Sequence, residues 1–209
     1  METRTLHITS EHVVDSVDAG PDISSWLDDI KIISNLGVVE FPGAIATKGH
    51  IFSGPGSSLR ATGHISAGKG IGVGDSISAG TTIDAVGDII ASRSIAARGG
   101  VIAGGVIAGG SISAGAGISA GAGISAGGCI VAGHSINAGD GIESGAGVTA
   151  GLSIAAEYVA AEYVAAGTAT HRLLAPGDKE IRAEIRSGTV THGTVVAPGA
   201  SAAAEPGGN

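Results

Sequence analysis

Residues 112–142 read ISAGAGISAGAGISAGGCIVAGHSINAGDGI. An aliphatic residue returns at every sixth position: Ile112, Ile118, Ile124, Ile130, Ile136 and Ile142. Ala stands two places after each of the first five. A helix would need apolar residues at three, four and seven, and each Gly would cost it about 1 kcal/mol. A three-residue strand fits the pattern. In I-x-A the first and third side chains point to one face and the middle one to the other. The Gly-rich remainder is predicted to turn the corner, using the φ > 0 conformations that Gly accepts.

The same phrase extends in both directions. Upstream it runs through Ile65, Ile71, Ile77, Ile83, Ile89, Ile95 and Val101, with one five-residue step to Val106. Downstream it reaches Val148 and Ile154, and two more five-residue steps lead to Val159 and Val164. Weaker copies precede it at Ile33, Val39, Ile45 and Ile51, and an insertion near Pro55 leads to Leu59. Three strand-and-corner units make one triangular coil of roughly 18 residues, with coils stacked about 4.8 Å apart. No coil buries its apolar face alone, so the array folds as a stack. The fold class is all-β: a parallel β-helix, or β-solenoid, of six-residue repeats, about three per coil, with short terminal caps.

Composition agrees. Gly supplies 38 of 209 residues, and the aromatics are Trp26, Phe41, Phe52, Tyr158 and Tyr163 alone. An ordinary globular core cannot be built from so few large side chains. Gly does not recur at every third residue, which excludes collagen. A hydrophobic share of 43% with only 14% charged residues argues against disorder. No apolar stretch of about 20 residues runs free of Gly and Ser, so no membrane span is expected. The opening METRTLHITSEH lacks a basic region followed by an apolar run, so no signal peptide is expected. The single Cys129 admits no internal disulfide and suits a cytoplasmic setting.

Four regions are expected. Residues 1–32 form an acidic N-terminal cap, with a strand at residues 4–8 and a short helix at 22–30 capped by Asp22. Residues 33–168 form the solenoid, and 169–196 supply two or three strands that close its far end. Residues 197–209 form a disordered tail. The net charge is −8, and residues 1–30 carry −6 of it. Gly99 to Gly139 contains no Asp, Glu, Lys or Arg. A basic stripe for nucleic acid is absent. The uncharged middle does not repel copies of itself, and the acidic N-terminal segment could engage a basic protein partner.

The I-x-A-G-x-x-I phrase resembles the Gly-rich β-helices of bactofilins and related polymer-forming proteins over about residues 60–165. That resemblance implies a cytoplasmic scaffold that polymerises end to end without a nucleotide. The hexad also resembles that of hexapeptide acyltransferases, but their small inward residue usually lies two before the aliphatic, not two after.

Candidate chemistry is sparse. GHISAGKG at 63–70 approaches a phosphate-binding loop, but Gly70 stands where a hydroxyl should hold magnesium, and no helix follows. His50, His64 and His134 fall at corners without a repeating carboxylate partner. Clustered metal ligands are lacking. No catalytic, cofactor or metal site is assigned. The function expected is a non-enzymatic structural or self-assembling scaffold. The alternative is a rigid binding or inhibitor protein of phage or plasmid type acting on a protein partner, with a hexapeptide-type acyltransferase ranked last.

The middle position of each hexad points outward and is usually Ser, Gly, Asn or charged. Ile90, Ile102, Ile107 and Val131 break that rule. Counting three units per coil puts Ile90 and Ile107 on one face, one coil apart, with Ile102 on the adjoining face. Tyr158 and Tyr163 recur in the duplicated AEYVA at equivalent corners. These six residues are the candidate homo-oligomer interface, unless terminal segments cover them; the C-terminal strands in particular are expected to pack over the two tyrosines.

Overall fold

The computed structural model describes residues 5–10, 13–14, 17–18, 26, 28–168 and 180–196. It is a parallel β-solenoid of about nine turns. No α-helix occurs among the described residues. Each regular coil lays three short strands on three faces. In one coil these are Ile71–Val73, Ile77–Ala79 and Ile83–Ala85, and Ile89–Ala91 then begins the next coil above Ile71–Val73. The faces are called first, second and third in that order.

Register follows from the alternation. Ile77 pairs with Ile95 and Ile95 with Ile112, while Ala79, Ala97 and Ala114 stack beside them. The Ile and Val columns are completely buried and the Ala columns nearly so. Each buried aliphatic contributes roughly 1.5–3 kcal/mol, and the small Ala lets three faces converge without colliding. Corners join the hydrogen-bonded stack as well. The Gly127 amide donates to the Ala108 carbonyl at 3.0 Å and the Gly128 amide to Gly110 at 2.9 Å. Buried corner backbone is thereby paired with the coil before it.

The corner glycines serve a purpose different from the one expected. Among the described residues, Gly takes a positive φ only at Gly37, Gly56, Gly167, Gly188 and Gly193, none of them in a regular corner. Many regular corners need Gly because there the coils approach too closely for a side chain. A Cβ on Gly115 would lie 2.0 Å from the Arg98 carbonyl oxygen, and one on Gly127 would lie 2.2 Å from that of Gly109.

The early coils are longer. Ile30 pairs with Ile51 and Val39 with Leu59, so 20 or 21 residues replace 18. The extra residues form a loop around Asn35 (φ 61°) that stacks on Pro55–Gly56 of the next coil. The buried Ser57 hydroxyl ties this loop down, donating to the Ile33 carbonyl at 2.7 Å and accepting from the Leu36 amide at 3.0 Å. Ile33 therefore leaves the inward column expected for it, and Ile30 takes that place. The wider coil also holds Phe41 in an inward position that is otherwise Ala.

Leu6–Ile8 is a strand, as its sequence suggests, and it stacks on Ile30–Ile32. The helix expected at 22–30 does not form at its described residues. Trp26 bridges Thr47, and Ile30–Ile32 is a strand with both isoleucines fully buried. Pairing to the next coil outweighs the local capping signal there; Asp22 itself lies outside the described residues. At the other end, Ile154–Ala165 bends round two corners as one strand, and Glu180–His192 lies parallel to it with register shifts. Thr194–Val196 then pairs with Glu180–Arg182. The C-terminal strands thus continue the stack rather than form a separate lid. The tail expected at 197–209 lies outside the described residues.

Candidate interaction surface

Outward side chains form columns of their own. On the first face Phe52, Gly72, Ile90 and Ile107 are consecutive members of one column. Phe52, Ile90 and Ile107 are 42%, 45% and 47% exposed. The Phe52 ring leans over Gly72, its Cδ1 3.3 Å from where a Cβ would stand. His50 stacks on Phe52 with ring centroids 4.9 Å apart, and its Nδ1 accepts a hydrogen bond from the Gly70 amide at 3.1 Å. With Lys69, Val86 and Asp88 these residues border an open groove of about 490 Å³. Val86 projects from the adjoining corner, 79% exposed.

The candidate residues divide among the faces. Ile90 and Ile107 stack directly. Ile102 stands on the third face between Asp84 and Ser119, and Val131 on the second between Ser113 and Thr149. Both are exposed but isolated among polar neighbours. Phe52 and Val86 complete the apolar patch and escaped the sequence reading. Phe52 breaks the outward-position rule as Ile90 does but sits in one of the weaker copies of the repeat, while Val86 occupies a corner.

Tyr158 and Tyr163 lie on the outer surface and fold back over glycines of the preceding coil. A Cβ on Gly141 or Gly147 would fall 2.1 Å from the ring Cζ above it. The flat ring covers backbone that Gly leaves bare, a recognised way of protecting sheet glycines. The C-terminal strands expected to cover the tyrosines stack on their coil instead, and they send Arg186 out over Tyr158. The guanidinium carbon is 3.7 Å from the ring centroid, and the Tyr158 hydroxyl donates to Glu143 Oε1 at 2.7 Å. That hydrogen bond raises the Tyr158 pKa above 10.0; burial and the Glu143 charge add to it, and Arg186 opposes it. The fold favours the protonated phenol, so this contribution to stability is present below the ordinary phenol pKa and is lost as pH rises through the raised value. In a Tyr163→Phe background, phenolate absorbance should therefore appear later than in an unfolded reference. Glu143→Gln should bring it earlier; an unmoved titration would show that the bond does not form.

The remaining motifs sit in ordinary solenoid positions. In GHISAGKG, Ile65–Ala67 is a strand, and the Gly68 and Lys69 amides donate to the Thr47 and Gly49 carbonyls. Those amides are therefore engaged by the stack. His64 and His134 are exposed at corners, and half-buried Cys129 accepts no disulfide partner while its amide donates to Ser111 Oγ at 3.2 Å. No group of three or more His, Cys, Asp or Glu placed to hold a metal occurs among the described residues. No described helix is long and apolar enough to cross a membrane.

Comparison of the chain with family models, with curated proteins and with solved structures finds no match. The class defined by the coordinates is therefore the parallel β-solenoid with coils of about 18 residues.

Proposed function

We propose that the chain is a non-enzymatic structural β-solenoid, a rod that joins copies of itself end to end in a cytoplasmic setting. The carrying observation is the last coil. Thr194–Val196 opens a further turn, and among the described residues no strand pairs with the outer edge of Glu184–His192. Ile181 is fully buried there, Ile185 and Val190 are half-buried, and Val195 is exposed. An unpaired parallel edge with partly uncovered core is a template for another coil. Joined to the coil of Leu6–Ile8 in a second copy, it gives a head-to-tail contact, which builds a filament when it does not close. The repeat's resemblance to bactofilins and related polymer-forming proteins supports the same reading.

Negative-stain microscopy with light scattering tests it. The wild type should form filaments that lengthen by end-to-end stacking of solenoids. Val195→Lys, which puts a charge on the exposed end, should shorten or abolish them without lowering Tm. A wild type that stays a discrete particle would reject end-to-end growth. It would favour the second reading, a rod that binds another protein, for which the groove beside Phe52 is the supporting observation.

A further inference from the structure

We propose that the first face is a lateral docking surface for a second copy of this chain, packed with its solenoid axis antiparallel. This contact is separate from the coil ends.

Exposed apolar surface is the first argument. The half of the face nearer the N-terminus exposes Phe52, Val86 and Ile90 around the groove described above. The half nearer the C-terminus carries a trough of about 360 Å³ floored by Gly105 and Gly123 and bounded by Ile107 and Tyr158. The two lie on opposite sides of the coil that holds Ile107. Antiparallel packing brings the exposed apolar side chains of each copy onto the trough of the other.

Charge is the second argument. The corner between the third and first faces stacks Lys69, Gly87, Gly104, Ala122, Asp140 and Glu157 in successive coils, each amide donating to the carbonyl before it. Gly49 lies one coil before Lys69 in this stack, and Lys48 adjoins it along the chain. Lys48, Lys69, Asp140 and Glu157 are all exposed and, among the described residues, make no ion pair within the chain. Lys69 is two coils before Gly104 and Asp140 two coils after it; Gly49 is three before and Glu157 three after. A two-fold axis along the strand direction at the Gly104–Ile107 coil therefore sets Lys69 against the second copy's Asp140 and Gly49, with Lys48 beside it, against its Glu157. Ile107 then meets its own symmetry copy, and Ile90 sits over the second copy's Gly123 and Ser125. Such a contact is isologous and closes at two copies. Apolar residues at its centre and complementary charges at its rim match the anatomy of stable interfaces.

The test uses the Val195→Lys background, so that end-to-end growth does not obscure the mass. Failure of the end-to-end reading shows as absent filaments in the parent protein; failure here shows in this background. By light scattering at low salt the background protein should be a dimer. Lys48→Glu with Lys69→Glu, and separately Asp140→Lys with Glu157→Lys, should each weaken the dimer at least tenfold while keeping the β-type circular dichroism. Mixing the two variants should restore the dimer, because every reversed charge then meets a reversed partner. A monomeric background protein, unchanged variants, or a mixture that stays monomeric would overturn the proposal. Register is checked by disulfide trapping after Cys129→Ser. Ile107→Cys should cross-link to itself, and Ile90→Cys should cross-link to Ser125→Cys copies. Cross-linking of Ile90→Cys only to itself would overturn the antiparallel arrangement.

Discussion

Ile118→Asp should remove most of the stability of the central coils, whereas Ser119→Asp, one residue away, should change it by under about 0.5 kcal/mol. Ile118 is fully buried between Val101 and Ile136 in its column, and Ser119 is exposed between Ile102 and Asn137. The aspartate at 118 has no partner across a core of Ile and Ala. Burying an uncompensated charge costs about 3–5 kcal/mol, and the lost aliphatic contacts add about 2 kcal/mol or more. Domain stabilities run only to about 5–15 kcal/mol. Stability in a stack is a sum over units and their neighbours, so the damage should begin in the coils touching residue 118. Hydrogen exchange should show protection lost there first. Equal melting temperatures for the two variants would mean that the inward register is wrong.

Gly115→Ala and Gly121→Ala should differ in sign although both lie in the identical hexad ISAGAG. At Gly115 the new methyl would stand 2.0 Å from the Arg98 carbonyl oxygen, and the backbone of two coils must part to admit it. Overpacking of this kind costs about 1–3 kcal/mol. At Gly121 the nearest atom is the Gly104 carbonyl oxygen at 3.6 Å, an ordinary contact. Its φ is not positive, so Ala there should stabilise by roughly 0.4–1 kcal/mol through the unfolded chain. The coil beneath Gly121 contains the five-residue step from Val101 to Val106, and its shortened corner leaves the room. Thermal melts of the two single variants decide the point; a parallel loss in both would mean that the short corner opens no space.

The inward columns were legible because a strict period leaves one solution: Ile118 and its relatives can share a core only in three-sided coils. The pairing of Ile90 with Ile107 followed from the same counting, since the five-residue step occupies one whole strand-and-corner unit. Corner chemistry was misread. Sequence reports that Gly is present but not whether φ or proximity demands it, and the answer lies in the coil 17 or 18 residues away. Ile33 misled because Ile30 and Ile32 offer the same side chain, and only the loop at Asn35, tied to Ser57, selects between them. The apolar surface patch was half legible. Ile90 and Ile107 break an outward rule, whereas Val86 follows a corner where no rule existed, and the ring of Phe52 matters only because Gly72 lies beside it.

The stacking of each coil on its immediate neighbours has a mechanical consequence. A tether holding Leu6 and Val196 pulls along the stacking axis, so it loads the coil-to-coil hydrogen bonds one rung at a time rather than shearing them together. One coil contributes about 4.8 Å to the rod, yet 18 residues of released chain reach roughly 60 Å. Force spectroscopy should therefore record a train of similar small steps, each a single turn paid out, interrupted where the long coils around Asn35 and Pro55 give way. A rod built this way yields by lengthening gradually under load, and every turn that peels can rewind onto the intact end.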